Sequence, residues 1–517
     1  MKSVVPKFAV VGHPNEGKSS VLSTLAEDDS VRISHIPGET SECRDFPVII
    51  DGREILRFVD TPGFQNPRNT LLWMQNYEGP ETDMVKEFIR AHEKDPAYND
   101  DCELLRPLLG EVGIIYVVDG SRPIRNVDRA EMEILRVIGR PRMAIINNKE
   151  DDTAYLALWQ SEFRKHFNSI RTFNSNRATY AERISLLESL KSIDQDLQSA
   201  LEIVIIAFQQ DWEARNQRTA DAIVLMLERI LAYQQTVTCP DGIDDVALRE
   251  KLFGQYNCFV AREEQKTYKQ IRSFYKHNIF NYDLPEHSIL HEDLFSERTW
   301  EFLGLSKTQL ILAGAVGGAA IGAGLDVAHA GLTFGVYLTI GGVLGATGAA
   351  LKGQDVFSGT RLLGLKLDQH KLQVGPVTNI QLLYILLDRV LIFYSHIINW
   401  AHGRRDYSYG KPAPEKADMK QGFTTDWNRT MRKKCEAYFK EIQGDDATQR
   451  EKAGDALKNM LTDCLTIISL DPISKQACDA IYKEHQEDDA VQSEEGKDAL
   501  KNILTDCLAF MSRARIK

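Results

Sequence analysis

Residues Gly12-His-Pro-Asn-Glu-Gly-Lys-Ser19 fit the spacing G-x-x-x-x-G-K-[ST]. The spacing suits a chain of phosphates, because backbone N–H groups of such a loop wrap the oxygens with help from the following helix N-terminus. Lys18 is placed to reach β- and γ-phosphates and the Ser19 hydroxyl to ligate Mg²⁺, with Asn15, Glu16, Gly17 and Ser20 completing the loop. Asp60-Thr-Pro-Gly63 comes next. A carboxylate at Asp60 can hold Mg²⁺ through water, and the Gly63 amide can sense a γ-phosphate. Further on stands Asn148-Lys-Glu-Asp151. A carboxylate at Asp151 can accept from the guanine N1–H and 2-amino group, a donor pair that adenine lacks. Asn148, Lys149 and Asp151 therefore predict GTP rather than ATP.

Two further segments carry a weaker signal. Thr40, in Pro37-Gly-Glu-Thr-Ser41, is the expected switch threonine that ligates Mg²⁺ when GTP is bound, with Ser41 as a competitor and a plain surface loop as the alternative. Asn174-Ser-Asn176 occupies the place of the last base-contacting loop, where the amide near Ser175 would meet guanine O6. Lys18, Thr40 and Gly63 are the residues expected to act on the γ-phosphate. Ser19, Thr40 and Asp60 are the expected Mg²⁺ ligands.

These loops need strands to hold them. Lys7–Val11 reads as a first strand, and Phe46–Ile50 with Glu54–Val59 reads as a hairpin around Asp51-Gly52. Gly113–Val118, Arg142–Ile146 and Ile170–Phe173 read as further buried strands, with a long insertion at 64–111 that is helical around Met84–His92. Residues 1–197 thus predict an α/β domain: a mostly parallel sheet, one antiparallel strand and helices on both faces. A mainly α-helical region is expected afterwards: a helical domain at 198–300, a Gly-rich apolar hairpin and amphipathic helix at 301–406, a basic linker at 407–440 and a helical tail at 441–517.

Composition excludes several classes. The chain has 517 residues, 43% hydrophobic and 26% charged, which rules out global disorder and collagen-like repeats. A mean hydropathy of -0.30 rules out a polytopic transporter. Lys+Arg 62 against Asp+Glu 74 gives a net charge of -12, against nucleic acid as a main partner. No two of the 8 cysteines stand in a Cys-x-x-Cys spacing, so reduced thiols in a cytoplasmic setting are expected. The opening residues show no signal-peptide pattern.

One segment disagrees with the soluble average. Between Gln309 and Leu351 fall 11 of the 34 glycines and a single charged residue, Asp326. Gly314, Gly318 and Gly322 share one helix face, as do Gly331/Gly335 and Gly341/Gly345, a glycine-zipper pattern that lets helices approach closely. The hairpin is expected to contact membrane lipid, the alternative being burial inside a helical domain. An apolar helix over Asn379–His402, broken by Asp388-Arg389, reads as amphipathic or packed rather than spanning. From 403 to 440 there are ten Lys/Arg against five Asp/Glu, a stretch that can face anionic lipid or simply water. The tail repeats itself: Asp455–Leu465 recurs as Asp498–Leu508, with Leu457, Met460, Leu461, Cys464 and Ile468 on one helical face. A protein partner for that tail is expected.

With these segments quoted, residues 1–197 resemble the TrmE–Era–EngA type of translation-factor-class GTPase. More closely, residues 5–406 look like a bacterial family that joins such a GTPase to a C-terminal domain of unknown function with a Gly/Ala-rich hairpin. Gly12–Ser20, Asp60-Thr-Pro-Gly-Phe-Gln65, Cys102-Glu-Leu-Leu-Arg-Pro107, Tyr116-Val-Val-Asp-Gly120, Glu131-Met-Glu-Ile-Leu-Arg136, Gly304–Leu310 and Ala401–Asp406 carry the likeness. The resemblance implies that Asn15 coordinates K⁺ beside the phosphates, where the ion offsets transition-state charge. An Asn chosen only for its turn is the alternative. It also implies slow GTP hydrolysis that does not rely on Phe64, the residue after Gly63. The extra residues before Arg44 depart from the usual pattern and leave no assigned arginine finger. Three roles stay open: a GTP switch on the inner membrane, a soluble GTPase assisting ribosome or tRNA maturation, and a nucleotide-gated oligomeric scaffold.

Overall fold

The computed structural model describes residues 5–13, 16–26, 42–148, 154–174, 180–238, 246–276, 366–368, 371–377, 380–399 and 422–469. The Gly-rich segment 309–351, the start of the basic stretch and the second tail copy at 498–508 lie outside the described residues.

Six strands form the first sheet: β1 (Lys7–Val11), β2 (Arg44–Ile50), β3 (Arg53–Asp60), β4 (Gly113–Asp119), β5 (Arg142–Asn147) and β6 (Ser169–Phe173). Their order is β2-β3-β1-β4-β5-β6, all parallel except β2. The exception has a local cause. Asp51 (φ 49) and Gly52 (φ 73) make a two-residue turn of positive φ, which matches the strand twist and sends β3 back along β2. The other connections run through helices. A parallel sheet buried on both faces explains why the strands read as unbroken apolar runs. Phe8 and Val10 of β1, with Ile115 and Val117 of β4, pack beneath α1 (Lys18–Ala26), α7 (Tyr180–Lys191) and the start of α8 (Gln195–Leu231). Ala9, Val11, Ile114, Tyr116 and Val118 face the other side, under α2 (Pro67–Gln75), α3 (Met84–His92), α4 (Asn99–Leu105), α5 (Asn126–Ile138) and α6 (Leu156–Phe163).

α8 serves two cores. Leu201, Val204, Ile205 and Phe208, at spacings of three and four, pack on the sheet. Trp212, Ala220, Ile223, Met226, Leu227 and Ile230, further along the same helix, belong to a second core. The division expected after residue 197 therefore falls inside a 37-residue helix. Its N-terminus is capped by the Asp194 side chain, which accepts from Asp196 N–H at 3.0 Å.

The second core gathers α9 (Val246–Phe274), α10 (Gln381–Ile398), α11 (Arg429–Glu441) and α12 (Ala447–Ser469), beside a small antiparallel sheet of β7 (Gln235–Thr238), β9 (Lys371–Val374) and β8 (Lys366–Asp368). Among the described residues only α10 is long and apolar enough to cross a membrane, and 78% of it is buried inside the protein. Asp388-Arg389 does not break it. Arg389 donates to both Glu264 oxygens, at 2.8 and 3.2 Å, and Tyr268 adds its hydroxyl at 3.2 Å. Asp388 accepts from the backbone N–H of Thr424 at 2.7 Å and its hydroxyl at 2.8 Å, while burial pushes its carboxyl up to about 6. Two charges in a helix centre were read as an interruption because their partners come from elsewhere in the chain.

The segment read as a basic linker contains α11, with Cys435 and Tyr438 buried among exposed lysines and arginines. Its charge density hid a narrow apolar stripe. In α12 the first repeat copy buries Leu457, Met460, Leu461 and Cys464, with Ile468 just beyond it, so that face packs into the protein's own core. A polar hub ties the layers together: Tyr275 and Tyr394 hydroxyls lie 2.7 and 2.9 Å from Asn216 Oδ1, and Asn216 donates to Thr466 at 3.2 Å.

Replacing Arg389 by Leu leaves the buried Glu264 carboxylate without its counter-ion, with the Tyr268 hydroxyl still donating to it. The substitution should destabilise the helical unit by about 3–5 kcal/mol, and Glu264→Leu added to it should recover most of that loss. Chemical unfolding followed by circular dichroism checks both; an unshifted transition for Arg389→Leu would contradict the assignment.

Candidate nucleotide site

The site is built where the parallel strands end. The loop after β1, the Asp60–Gly63 segment after β3 and the loops after β4 and β5 all leave the sheet at its C-terminal edge, where open α/β sheets bind ligands. Gly12 (φ 149) is obligatory: a Cβ there would meet the Val117 carbonyl oxygen at 2.3 Å. Gly17 has φ 90, which also favours glycine and turns the chain into α1.

Lys18 is buried, its ammonium donating to the Gly12 carbonyl at 2.9 Å and the His13 carbonyl at 3.1 Å. Burial lowers its pKa, while the carboxylates of Asp60, Glu131 and Glu16 oppose that shift. The Ser19 hydroxyl donates to Asp60 Oδ2 at 3.2 Å, and Thr61 next door is pinned to β1 through the Val10 carbonyl at 2.8 Å. Burial raises the Asp60 pKa against Lys18, Ser19 and Arg44, and its Oδ1 is buried with no hydrogen-bond partner. An orphaned carboxylate oxygen beside a serine hydroxyl offers the hard oxygen donors that Mg²⁺ takes. The residues fit the metal.

Glu16 serves the loop differently. Its carboxylate accepts from the Asp119 N–H and, at 2.7 Å, from Arg122 Nε, so the side chain is engaged below the loop rather than with phosphate. Arg122 also donates to Asp128 at 2.9 Å and stacks 5.3 Å from the Trp159 ring, whose N–H returns to the Arg122 carbonyl at 2.8 Å. Asp128 accepts in turn from the Arg125 backbone at 2.6 Å, capping α5. One turn later on α5, buried Glu131 holds His13 Nδ1 at 3.1 Å and the Tyr116 hydroxyl at 2.8 Å. Two fully buried carboxylates of one helix thus brace the phosphate loop from beneath.

Asn147, the last residue of β5, joins that strand to the same loop, its amide donating to the Glu16 carbonyl at 3.3 Å. Asn148 follows, with its N–H on the Phe173 carbonyl at 2.9 Å and a buried Oδ1 without a partner. Gly63 is buried, Ser20 lies in the first turn of α1, and Asn174 directly follows β6. Phe64 is packed into the sheet-face core. Lys18, Ser19, Asp60 and Gly63 are brought together. Asn15, Thr40, Ser41, Lys149, Asp151 and Ser175 lie outside the described residues.

Sequence reasoning passed over His13, Arg122, Asp128, Glu131, Tyr116 and Asn147. A signal existed: Tyr116 interrupts an aliphatic strand, and Asp128 and Glu131 stand three apart on a helix whose neighbours Met132 and Leu135 are core.

Fold and site together define a P-loop GTPase domain carried on a helical region. Residues 7–149 match the family model described as 50S ribosome-binding GTPase, and residues 162–466 match the domain of unknown function DUF3482. The second model spans more than half of the chain, which therefore belongs to the DUF3482 family. Curated relatives include GTPase Der of Listeria welshimeri, 26% identical over 166 residues, 31% of this chain and 32% of that protein. The tRNA modification GTPase MnmE of Nitratiruptor sp. is 23% identical over 257 residues, 48% of this chain and 50% of that one. The chain thus spans 32% to 50% of the length of these relatives. Among solved structures, Era in complex with MgGDPNP and a 16S ribosomal RNA segment aligns with 52% of this chain and 87% of its own, at 15% identity and TM-score 0.25. The mGMPPNP-bound NFeoB from S. thermophilus covers 52% and 86%, at 16% identity and TM-score 0.17.

Arg122→Ala removes the closer of the two guanidinium groups shared by Glu16 and Asp128, leaving Arg125 at 3.5 and 2.9 Å. It should cost about 1.5–3 kcal/mol of stability and weaken GDP binding. Thermal unfolding with and without GDP measures both, and wild-type values would show that the brace carries nothing.

Proposed function

We propose that the protein is a GTP-binding and GTP-hydrolysing switch whose helical region is the effector end. The observation that carries this reading is the Lys18–Ser19–Asp60 cluster, with one Asp60 oxygen left unpartnered beside the Ser19 hydroxyl. Ser19 and Asp60 would hold Mg²⁺, joined by Thr40 when GTP is present; bound there, the ion offsets negative charge on the β- and γ-phosphates. Lys18 supplies a fixed positive charge to the same oxygens, and the Gly63 amide faces the γ-phosphate. Water attacks the γ-phosphorus, the bond to the β–γ bridging oxygen breaks, and GDP and phosphate leave. Asn148, Lys149 and Asp151 select guanine, with Asn174 and Ser175 closing over the base. K⁺ held by Asn15 adds positive charge beside the phosphates.

The effector end comprises the helices around α8 and, beyond them, the Gly-rich stretch 309–351, whose small-residue stripes support a lipid-contacting hairpin at the cytoplasmic face of the inner membrane. A second reading, a GTPase that acts at the ribosome, is favoured by the 50S ribosome-binding GTPase match; the net charge of -12 counts against it.

Hydrolysis assayed in K⁺ and in Na⁺ buffers, with and without anionic liposomes, tests the reading. Faster turnover in K⁺ supports Asn15 and equal rates refute it. Pelleting with liposomes, lost when Gly314, Gly318 and Gly322 become Leu, supports membrane contact, whereas co-sedimentation with ribosomes alone supports the second reading. Asp151→Asn should move preference from GTP to XTP, and unchanged GTP affinity would refute the base assignment.

A further inference from the structure

Both loops that respond to a γ-phosphate in the reading above end on one short helix outside the phosphate motifs. That helix is α4, inside the insertion at 64–111. Its Asp101 is fully buried. Oδ2 accepts from the Asn66 backbone N–H at 2.9 Å and Oδ1 from the Thr70 hydroxyl at 3.3 Å. Gln65 and Asn66 directly follow the Asp60–Phe64 segment and lead into α2. The N-terminus of α2 has no side-chain cap of its own: Asn66 makes none, and Pro67 has no N–H to offer. Asp101 supplies the missing acceptor from another helix.

Two residues further along α4, Glu103 turns to the other loop. Its Oε1 accepts from the Cys43 backbone N–H at 3.1 Å, and its main-chain carbonyl accepts from the Cys43 thiol at 3.1 Å. Cys43 stands immediately before β2 and three residues after Thr40. α4 itself is fastened to the core through Cys102, Leu104 and Leu105.

We infer that α4 is a clasp joining the flanks of the two nucleotide-responsive loops, with Asp101 and Glu103 as positioning residues for GTP hydrolysis; this rests on the GTPase reading. The physical reason is a restriction of freedom. A buried carboxylate that accepts from the Asn66 amide and the Thr70 hydroxyl restricts the chain after Gly63, and its loss leaves orphaned donors that search for other partners. The Gly63 amide then spends less time where a γ-phosphate needs it. GDP has no γ-phosphate, so its affinity is insensitive to the clasp. The effect therefore falls on kcat and not on GDP binding.

The full chain with Asp101→Ala, Asp101→Asn, Glu103→Ala or Glu103→Gln tests this by steady-state GTP hydrolysis and GDP titration. Asp101→Ala should lower kcat about tenfold and Glu103→Ala about threefold, with GDP affinity within about twofold of wild type. The Asn and Gln variants keep an acceptor oxygen and should recover most of the rate. The double alanine variant should lose less than the product of the single losses, because both act on one helix. Arg106→Gln, which removes the outer ion-pair partner of Glu103 at 3.1 Å, should leave kcat unchanged. If Asp101→Ala does not fold, Glu103→Ala, whose side chain is 26% exposed, decides the matter. Folded alanine variants with wild-type kcat, or with GDP affinity and kcat falling together, overturn the clasp alone. A wild-type chain that does not hydrolyse GTP overturns the functional reading and the clasp with it.

Discussion

A single helix cannot belong to two hydrophobic cores without tying them together, and α8 does belong to two. At about 1.5 Å per residue its 37 residues run roughly 55 Å. The first third closes the sheet against α7, and the remainder is the central rod around which α9, α10, α11 and α12 pack. Rotating or sliding one end moves the apolar stripe at the other out of register. That constraint gives the GTPase domain a mechanical route to the helical region that no flexible linker would provide, and the hub at Asn216 fixes the rod to its neighbours by hydrogen bonds as well as by packing.

At the other end, the nucleotide loop is an arrangement of buried charges that are mutually compensated. Lys18 sits among Asp60, Glu131 and Glu16, and Arg122 lies between Glu16 and Asp128. Each ion is held because its partner is there, so the side chains of Glu16 and Lys18 are fixed in place before any phosphate arrives. Rigidity of this kind is what an electrostatic catalyst requires, since groups already aimed at the developing charge need not reorganise. α5 contributes two of the carboxylates. The loop after β3 is held instead by hydrogen bonds from the Asn66 backbone and the Thr70 hydroxyl to buried Asp101.

Motif spacing singled out Lys18, Ser19, Asp60 and Asn148 for phosphate and guanine chemistry, and the structure brings the first three together at the strand ends. Six strands and the helix at Met84–His92 were legible from apolar periodicity, and the hairpin from Asp51-Gly52 alone. The braces were not. Glu16 resembles any variable loop residue until Arg122, 106 positions away, is folded against it. The same holds for Asp388-Arg389, which reads as a break in an apolar helix and is a satisfied core pair once Glu264 and Thr424 arrive. α11 was hidden by its lysines, and the first tail repeat turned out to face its own core. Long-range charge pairing has no local period, and period is what sequence reasoning detects.

The central claim, that a GTPase domain acts on the helical region through α8, is tested most directly by hydrogen exchange of the full chain bound to GDP and to a non-hydrolysable GTP analogue. The account predicts a nucleotide-dependent change in protection that begins around Lys18–Ala26 and Asp60–Gln75 and continues along Gln195–Leu231 into α9 and α12. Changes confined to residues before Gln195, with the helical core identical in both states, would contradict it.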